Sequence, residues 1–263
     1  MERLLISNTP HVRSRVTTRS IMIDICIALA PAAVAGIVFF GWKAAVLLVL
    51  SLISCVASEV IYRLIRKESF RQIIKNYDFT SSVTGILLAL NLGTQILDSV
   101  AGWFMPLLGG VFAIVVAKMI FGGTGKNFVN PALAGRIFLL ISFSAAMTTG
   151  WAATSIASIN ASSVSAGETV LSGMLSATPE YQLSNLDLFL GTGVSGSMGE
   201  TCKAALILGG VYLVVRGVID WKWPTLYIVV EGITASLLAG TFQMFLPSIL
   251  SGGLMLGAIF MAT

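Results

Sequence analysis

The residues of this sequence that could support chemistry are small and polar, and they lie in glycine-rich stretches. The densest stretch, FGGTGKNFVNPALAGR, spans residues 121–136. Backbone amides of a glycine-rich turn at a helix N-terminus can face a ligand. The candidate binding residues here are Gly123, Gly125, Asn127 and Asn130. The structural alternative is a turn in which Asn130 caps a helix beginning at Pro131.

A second glycine-rich stretch, GTGVSGSMGETCKAALILGG, spans residues 191–210. Gly199 and Glu200 precede an apolar helix, and a carboxylate in the first turn of a helix meets the positive end of the helix dipole. We identify Gly199 and Glu200 as candidate binding residues. A helix start with a favourable charge is the structural alternative.

A polar segment without Lys or Arg separates these two stretches, since neither residue occurs between Arg136 and Lys203. Its middle is rich in Ser, Thr, Ala and Gly, and it contains the tetrapeptide Ser176-Ala177-Thr178-Pro179. From the residues alone, a threonine before a proline in a polar loop is an ordinary turn residue.

Two carboxylates, Asp24 and Glu231, lie within apolar runs. Because burying a carboxylate in lipid costs about 2.5 kcal/mol or more, each is expected to face protein or water and is a candidate ion-path residue. For Asp24, near the end of its run, a solvated end residue is the favoured alternative. For Glu231, ion-path and structural roles stay equally open.

The numbers and positions of cysteine and histidine do not favour a metal or haem site. The three cysteines, Cys26, Cys55 and Cys202, are far apart, and the single histidine, His11, lies in the basic N-terminal segment. These spacings argue against an iron–sulfur, zinc or haem site built by this chain alone. We predict no metal ligands and no catalytic acid, base or nucleophile.

The composition is that of an integral membrane protein. Hydrophobic residues make up 56% of the chain and charged residues 11%, against about 25% charged residues in soluble domains. The net charge of +4 is concentrated in clusters, which the positive-inside rule assigns to cytoplasmic ends of membrane segments rather than to nucleic-acid binding. The clusters span residues 3–19, 63–75, 118–136 and 216–222.

Runs of about 20 apolar residues predict the membrane segments. Segment 80–97 is short and interrupted by Gly and Asn, as in broken segments that line sites. Glu59 and Arg63 fall four apart on one helix face, and Lys118 is expected to snorkel to the cytoplasmic surface. The predicted segments are 20–40, 44–65, 80–97, 99–121, 131–149, 203–219, 224–246 and the start of another at 249–263.

Several motifs, taken in order, carry a resemblance over essentially the whole chain. They are TSSVTGILLALNL, GGTGKNFVNPALAGR, SATP, GSMGET before a helix, and the terminal GAIFMAT. Together they resemble the RnfD family, a membrane component of Rnf electron-transport complexes. The chain is more distantly similar to the NqrB family of the sodium-translocating NADH:quinone oxidoreductase.

The resemblance implies an all-α polytopic membrane protein. Its two inverted repeats would have about five membrane segments each, similar in fold to urea transporters, with the second repeat truncated here. The implied division is a cytoplasmic basic leader (1–19), a first repeat (20–149), an extracytoplasmic flavin-bearing loop (150–200) and an incomplete second repeat (201–263).

The resemblance also implies FMN linked by a phosphoester to a threonine in the outer loop. The matching threonine is Thr178, preceded by Ala177 and Ser176, although the family pattern has glycine at the position of Ser176. Thr169 is a weaker candidate because no alanine precedes it. A second, non-covalent flavin, riboflavin, is expected near the loop 122–130 or the turn 196–200.

The function implied is that of a membrane electron carrier in an ion-translocating ferredoxin:NAD⁺ oxidoreductase, which couples electron flow to Na⁺ or H⁺ transport. The implied partners are Rnf subunits A, B, C, E and G, and lipid of the inner (cytoplasmic) membrane, with the N-terminus in the cytoplasm. The alternatives are a solute channel or transporter of urea-transporter-like fold without flavin, favoured by the interrupted segments, and a structural anchor for redox partners.

Overall fold

The computed structural model describes residues 16–148, 151–152, 166–167, 185–240, 242 and 245–262. The first part of this chain contains α1 (Thr18–Phe40), α2 (Trp42–Ile65), α3 (Phe70–Lys75), α4 (Thr80–Leu90), α5 (Met105–Val111), α6 (Pro131–Ser142) and α7 (Ser144–Thr148). The later part contains α8 (Asn185–Leu190), α9 (Met198–Thr201), α10 (Lys203–Val215), α11 (Lys222–Ala239), α12 (Phe245–Leu250) and α13 (Leu254–Phe260). Apart from one antiparallel pair of two-residue strands, Trp151–Ala152 and Ala166–Gly167, the described elements are helical.

Among the described residues, two helices are long and apolar enough to cross a membrane. They are α1, with 23 residues, and α2, with 24, each with a mean hydropathy of 2.4. Thr17 caps α1 by accepting a hydrogen bond from the Ser20 amide at 3.2 Å, and Gly41, at φ 69°, makes the turn into α2. The predicted segments 20–40 and 44–65 are therefore confirmed as apolar helices of spanning length.

The predicted interruption of segment 80–97 is also confirmed. α4 ends at Leu90, and a short 3₁₀-helix, Thr94–Asp98, follows it. α4 is almost entirely buried and packs against α1, α2, α5 and α6. Gly85 permits this packing, because a Cβ there would lie 2.9 Å from Leu52 Cα on α2. A short, largely apolar helix with a polar first turn is thereby held inside the helical assembly.

The segment after α4 departs from regular α-helix. α5 continues directly into a π-helix, Phe112–Met119. π-helical turns are rare and occur often at functional sites, because they change the direction in which side chains point. Here the π-helix carries Lys118.

The later helices pack onto the earlier ones. α1 and α10 run antiparallel: Asp24 lies near Arg216 at the end of α10, and Gly36, further along α1, lies near Met198 of α9, which precedes α10. Their backbones meet where Gly209 faces Ala28, since a Cβ at Gly209 would lie 2.1 Å from the Ala28 carbonyl oxygen. α13 packs against α10 and α11. The two parts therefore share one interface, which passes beside the C-terminal end of α4.

Candidate functional site

Two clusters of charged and polar side chains lie at opposite ends of α4, roughly 16 Å apart for 11 residues of helix. At the N-terminal end is the lysine cluster, defined as Glu59, Arg63, Asp78, Thr80, Lys118 and Thr124. At the C-terminal end is the arginine cluster, defined as Asn91, Arg136, Glu200 and Lys203.

The lysine cluster is built on a buried ion pair. Lys118 Nζ donates hydrogen bonds to Glu59 Oε2, at 2.9 Å, and to Thr80 Oγ1. The Glu59 and Lys118 side chains are 1% and 3% exposed. Glu59 Oε1 lies 2.6 Å from Arg63 Nη2 but receives no hydrogen bond from the described residues. The predicted proximity of Glu59 and Arg63 is confirmed, and the carboxylate holds two cations.

Asp78 extends this cluster toward the surface. Its carboxylate accepts hydrogen bonds from Thr80 Oγ1 at 2.7 Å and from Thr124 Oγ1 at 2.8 Å. Burial raises the pKa of Asp78, but the hydrogen bonds from Thr80 and Thr124 and the charge of Lys118 outweigh it, so the pKa lies below its ordinary value. The side chain is therefore an anion at neutral pH.

The expectation that Lys118 snorkels to the cytoplasmic surface is wrong. Its side chain points into the protein, where Glu59 of α2 and Thr80 of α4 hold the ammonium. The physical reason is that a buried carboxylate requires a cation, and the π-helix places Lys118 within reach of it. Glu59 and Lys118 are 59 positions apart, so no local pattern could indicate their pairing.

The arginine cluster joins α4, α6 and α9. Arg136 Nη1 donates a hydrogen bond to Asn91 Oδ1 at 2.8 Å, and Arg136 Nη2 lies 3.6 Å from Glu200 Oε1. Asn91 in turn donates to the Leu87 carbonyl oxygen at 2.7 Å. The Arg136 side chain is 30% exposed and that of Glu200 12%. The guanidinium group is thus fixed in place while part of it stays accessible.

Lys203 and Ser197 complete the surroundings of this cluster. Lys203, 1% exposed, donates to the carbonyl oxygens of Gly252, at 2.9 Å, and of Glu200. Ser197 is fully buried, and its Oγ has no hydrogen-bond partner among the described residues. Sequence reasoning did not identify Asn91, Arg136, Ser197 or Lys203 as site residues. The sequence does hold a signal for Lys203: it is a lysine at the start of an apolar helix, three residues after Glu200.

The predicted residue Gly199 lies in a close contact. A Cβ at Gly199 would lie 2.7 Å from Leu256 Cδ2 and 3.0 Å from the Leu90 carbonyl oxygen. The turn that contains Gly199 and Glu200 therefore packs directly between the end of α4 and α13. The fold brings these two candidate residues to the interface between the earlier and later helices.

The four candidates of the first glycine-rich stretch lie elsewhere. Gly123 and Gly125 have φ values of 90° and 83°, with nothing within 4 Å of an added Cβ. Asn127 donates to the Val129 carbonyl oxygen at 3.0 Å. Asn130 accepts from the Ala132 amide at 3.0 Å and caps α6, so the predicted cap is confirmed. Through Thr124, this loop contacts the lysine cluster.

The two ion-path candidates have opposite environments. Asp24 is 7% exposed and accepts hydrogen bonds from Tyr212 Oη at 3.0 Å and Arg216 Nη2 at 3.1 Å. The hypothesis of a solvated end residue is therefore wrong, because α10 covers Asp24 and supplies its counter-ion. Glu231 lies on an exposed face of α11 and lines an open pocket of about 410 Å³ with Trp223 and Tyr227.

The predicted flavin-linking threonine and its neighbours, Thr178, Ala177 and Ser176, lie outside the described residues, as do Thr169 and His11. The predicted loop 150–200 is described in part, and α8 and α9 belong to it. Its position on the outer side of the membrane stays a prediction.

The sequence of this chain is similar to that of a known family of membrane proteins. Residues 5–263 match the model of the NQR2, RnfD, RnfE family. The chain is similar to the D component of the Na(+)-translocating ferredoxin:NAD(+) oxidoreductase complex of Acetobacterium woodii, at 43% identity over 99% of this chain and 76% of the relative. It is also similar to the D component of the proton-translocating ferredoxin:NAD(+) oxidoreductase complex of Clostridium ljungdahlii, at 34% identity over 98% of this chain and 77% of the relative. A third relative is the D component of the ion-translocating oxidoreductase complex of Marinobacter nauticus, at 32% identity over 99% and 78%.

Proposed function

The chain belongs to the NQR2, RnfD, RnfE family, and we propose that it is a membrane subunit of an ion-translocating ferredoxin:NAD⁺ oxidoreductase complex. The observation that carries this proposal is the 43% identity, over 99% of the chain, to the D component of such a complex. In this function the chain acts with the other subunits of the complex in the cell membrane. It carries electrons, and the complex couples their flow to transport of Na⁺ or H⁺.

The proposed fold is a pair of inverted repeats similar to that of urea transporters. Three features support it. α1 and α10 pack antiparallel across the interface. Each is followed by a Trp-Lys pair at the start of the next helix: Trp42-Lys43 begins α2, and Trp221-Lys222 lies at the N-cap and first position of α11. Both following helices pack against a short helix, α4 in the first part and α13 in the second.

We propose that Thr178 carries FMN through a phosphoester. The hydroxyl of Thr178 would bond to the flavin phosphate, and the ring would supply the redox chemistry. No Lys or Arg lies between Arg136 and Lys203, so backbone amides, water or a partner subunit would neutralise the phosphate. Covalent attachment explains how a chain with few reactive side chains retains a redox group.

The arginine cluster fits a second, non-covalent flavin better than the loop 122–130 does. Arg136 offers N–H donors to a ring carbonyl and is already oriented by Asn91 and Glu200. Ser197 Oγ, buried without a partner among the described residues, indicates unused hydrogen-bonding capacity nearby. Because Gly199 is tightly packed, the ring would lie on the accessible side of Arg136. When bound, a flavin there would supply one further electron-transfer step.

The covalent proposal is tested by denaturing gel electrophoresis of the purified protein, followed by ultraviolet illumination. The wild-type band should fluoresce, and Thr178→Val should abolish the signal. Thr169→Val is the matched control, since it removes a second threonine of the same loop and should leave the fluorescence unchanged.

Two other outcomes would contradict the proposal. Fluorescence that is lost in Thr169→Val and kept in Thr178→Val would assign the acceptor to Thr169. A protein that contains no flavin, covalent or extractable, and conducts a small neutral solute in liposomes would be a channel or transporter rather than an electron carrier.

A further inference from the structure

The short helix α3 follows directly after α2 and exposes two different kinds of side chain. α2 ends at the exposed Ile65, and α3 begins at Phe70. Phe70 and Ile74 are four positions apart, and so are Arg71 and Lys75, so each pair lies along one side of the helix. We name these four residues the α3 surface. It places an apolar pair next to a basic pair, at the end of a helix long enough to span a membrane.

The apolar pair points away from the protein, although α3 is packed onto it. Ile73 is 1% exposed and α3 contacts α2, whereas Phe70 is 57% exposed and Ile74 60%. The start of the helix is fixed locally, because the Ser69 amide donates a hydrogen bond to Gln72 Oε1 at 3.4 Å. A formed helix thus holds two large apolar side chains outside the protein. Inserting them into a membrane interface would remove their apolar area from water.

The cations around α3 have no anionic partner in the part of the chain that the structure describes. Arg63, in the last turn of α2, is paired with Glu59 at 2.6 Å. Glu68 is the one carboxylate in the segment 64–77. Four or more Lys and Arg directly after a membrane helix are typical of segments that bind anionic lipid headgroups. The exposed cations that form no ion pair with a described residue are Arg66, Lys67, Arg71 and Lys75.

A second exposed group of the same composition lies at this end of the molecule. Phe121 and Phe128 are exposed and meet edge to face, with ring centroids 4.7 Å apart, and the exposed Lys126 lies between them in the sequence. Thr124 of this loop donates to Asp78, three residues after α3, at 2.8 Å. Apolar and basic side chains exposed together beside a spanning-length helix are typical of segments that lie among lipid headgroups. A membrane surface therefore fits this end of the molecule better than an acidic soluble protein does.

We propose that the α3 surface binds an anionic phospholipid. Arg71 and Lys75 hold the headgroup phosphate, and Phe70 and Ile74 insert among the first carbons of the acyl chains. The neighbouring Arg66 adds to the positive charge. Binding of this kind fixes the depth at which the connection between α2 and α4 lies in the membrane. The inference concerns lipid binding alone and goes beyond the proposed electron transfer, on which it does not depend.

The test measures lipid binding to the purified full chain in a non-ionic detergent. Dioleoylphosphatidylglycerol, which is anionic, and dioleoylphosphatidylcholine, which is zwitterionic, are titrated separately, and native mass spectrometry counts the bound lipids. Wild type should bind the anionic lipid saturably and in preference to the zwitterionic one. Arg71→Gln/Lys75→Gln should weaken binding of the anionic lipid about 25-fold, since each cation near an anionic surface contributes roughly fivefold. If the double variant does not fold, the two single variants should each show the fivefold loss.

Lys43→Gln/Lys222→Gln is the matched control. It removes the same charge from the chain, but Lys43 already lies beside Asp98 and Lys222 beside Asp220. Binding of the anionic lipid should change little in this variant. An equal loss in the control and in the α3 variant would show a general effect of net charge and would overturn the site.

Phe70→Ser/Ile74→Ser separates insertion from simple charge attraction. It keeps every cation and should still weaken binding of the anionic lipid, because the apolar pair no longer enters the acyl region. Unchanged binding would overturn the insertion of these two side chains.

Two further outcomes would overturn the lipid as the occupant. Competition by millimolar inorganic phosphate would show a site for a free anion. Unchanged lipid binding in Arg71→Gln/Lys75→Gln, together with loss of another subunit when the complex carrying this variant is purified, would assign the α3 surface to a protein contact. In both cases the covalent flavin of the chain is unaffected, so the proposed function stands or falls separately.

Discussion

The two ends of α4 differ in how their charged side chains are neutralised inside the protein. At the N-terminal end, a lysine and a glutamate less than 4% exposed neutralise each other directly. At the C-terminal end, Arg136 stays 30% exposed and meets the side-chain amide of Asn91. One end holds its cation in a short, fully buried ion pair, and the other holds a partly exposed cation by a hydrogen bond to an amide and a longer ion pair with Glu200.

The helix dipole of α4 also acts differently on the cations at its two ends. A cation near a helix C-terminus is favourable, as for Arg136 beside Asn91, whereas a cation at the N-terminus is not. Lys118 therefore lies where the dipole opposes it, and Glu59 and Thr80 retain it. Replacing a buried ion pair by apolar residues is often neutral or stabilising, so stability alone does not explain why the lysine cluster exists. The two clusters therefore differ in whether the helix dipole opposes or favours the cation that each of them holds.

The largest effect is expected at the ion pair. Glu59→Gln leaves Lys118 and Arg63 without their carboxylate and should destabilise the protein by about 3–5 kcal/mol. Glu59→Gln/Lys118→Met removes both charges and should recover most of that loss. Chemical denaturation in detergent measures both, and equal stability of the single and double variants would show that the pair is not coupled.

A smaller effect is expected where backbone packing supports the arginine cluster. Gly199→Ala introduces a Cβ 2.7 Å from Leu256 Cδ2 and should cost about 1–3 kcal/mol by overpacking. Gly257→Ala, on the adjacent α13, has no neighbour within 4 Å of the new Cβ and serves as the control. It should be neutral or slightly stabilising in the same unfolding assay, and a comparable loss in both variants would contradict the close contact.

Arg136 tests the hydrogen-bonded end itself. Arg136→Met leaves Asn91 Oδ1 without its donor and should cost about 1–2 kcal/mol, toward the lower part of the range for an unsatisfied polar group because the site is partly exposed. Arg136→Lys keeps the charge but cannot reproduce both contacts. We expect extractable, non-covalent flavin to decrease in both variants, with covalent flavin unchanged. Unaltered extractable flavin would place the second ring elsewhere.

The smallest effect is expected at Asp78, and it depends on pH. Because the folded protein lowers the pKa of Asp78 below 3.8, the stability that its charge contributes is complete above the ordinary carboxyl pKa and is lost as the pH falls through the folded value. The thermal midpoints of wild type and Asp78→Asn should differ by a constant amount from pH 8 to pH 5 and converge below about pH 4. A difference that grows on acidification would contradict this assignment.

Several features could be predicted because they depend on neighbours within a few positions. Asn130 before Pro131 specifies a helix start, and the interruption of segment 80–97 follows from its glycine and asparagine residues. The proximity of Glu59 and Arg63 follows from helical spacing. The lengths of α1 and α2 follow from uninterrupted apolar runs. Family membership was likewise recognisable from motifs in the sequence.

The partners of the buried charges could not be predicted. Asn91 meets Arg136 across 45 positions, Lys118 meets Glu59 across 59, and Arg216 meets Asp24 across 192. Which helix faces pack together decides these pairs, and helical spacing within one segment carries no information about them. The π-helix that turns Lys118 inward is a further case, since nothing local in its sequence separates it from an ordinary apolar helix.

The sequence by itself therefore determined a family, a membrane environment, and the starts and ends of several helices, because hydropathy and capping act over a few residues. The tertiary structure alone decided which charges became partners and that α4 separates a fully buried ion pair from a partly exposed arginine. The physical reason is that the energy of a buried charge depends on the partner that packing brings to it, and that partner can come from any part of the chain.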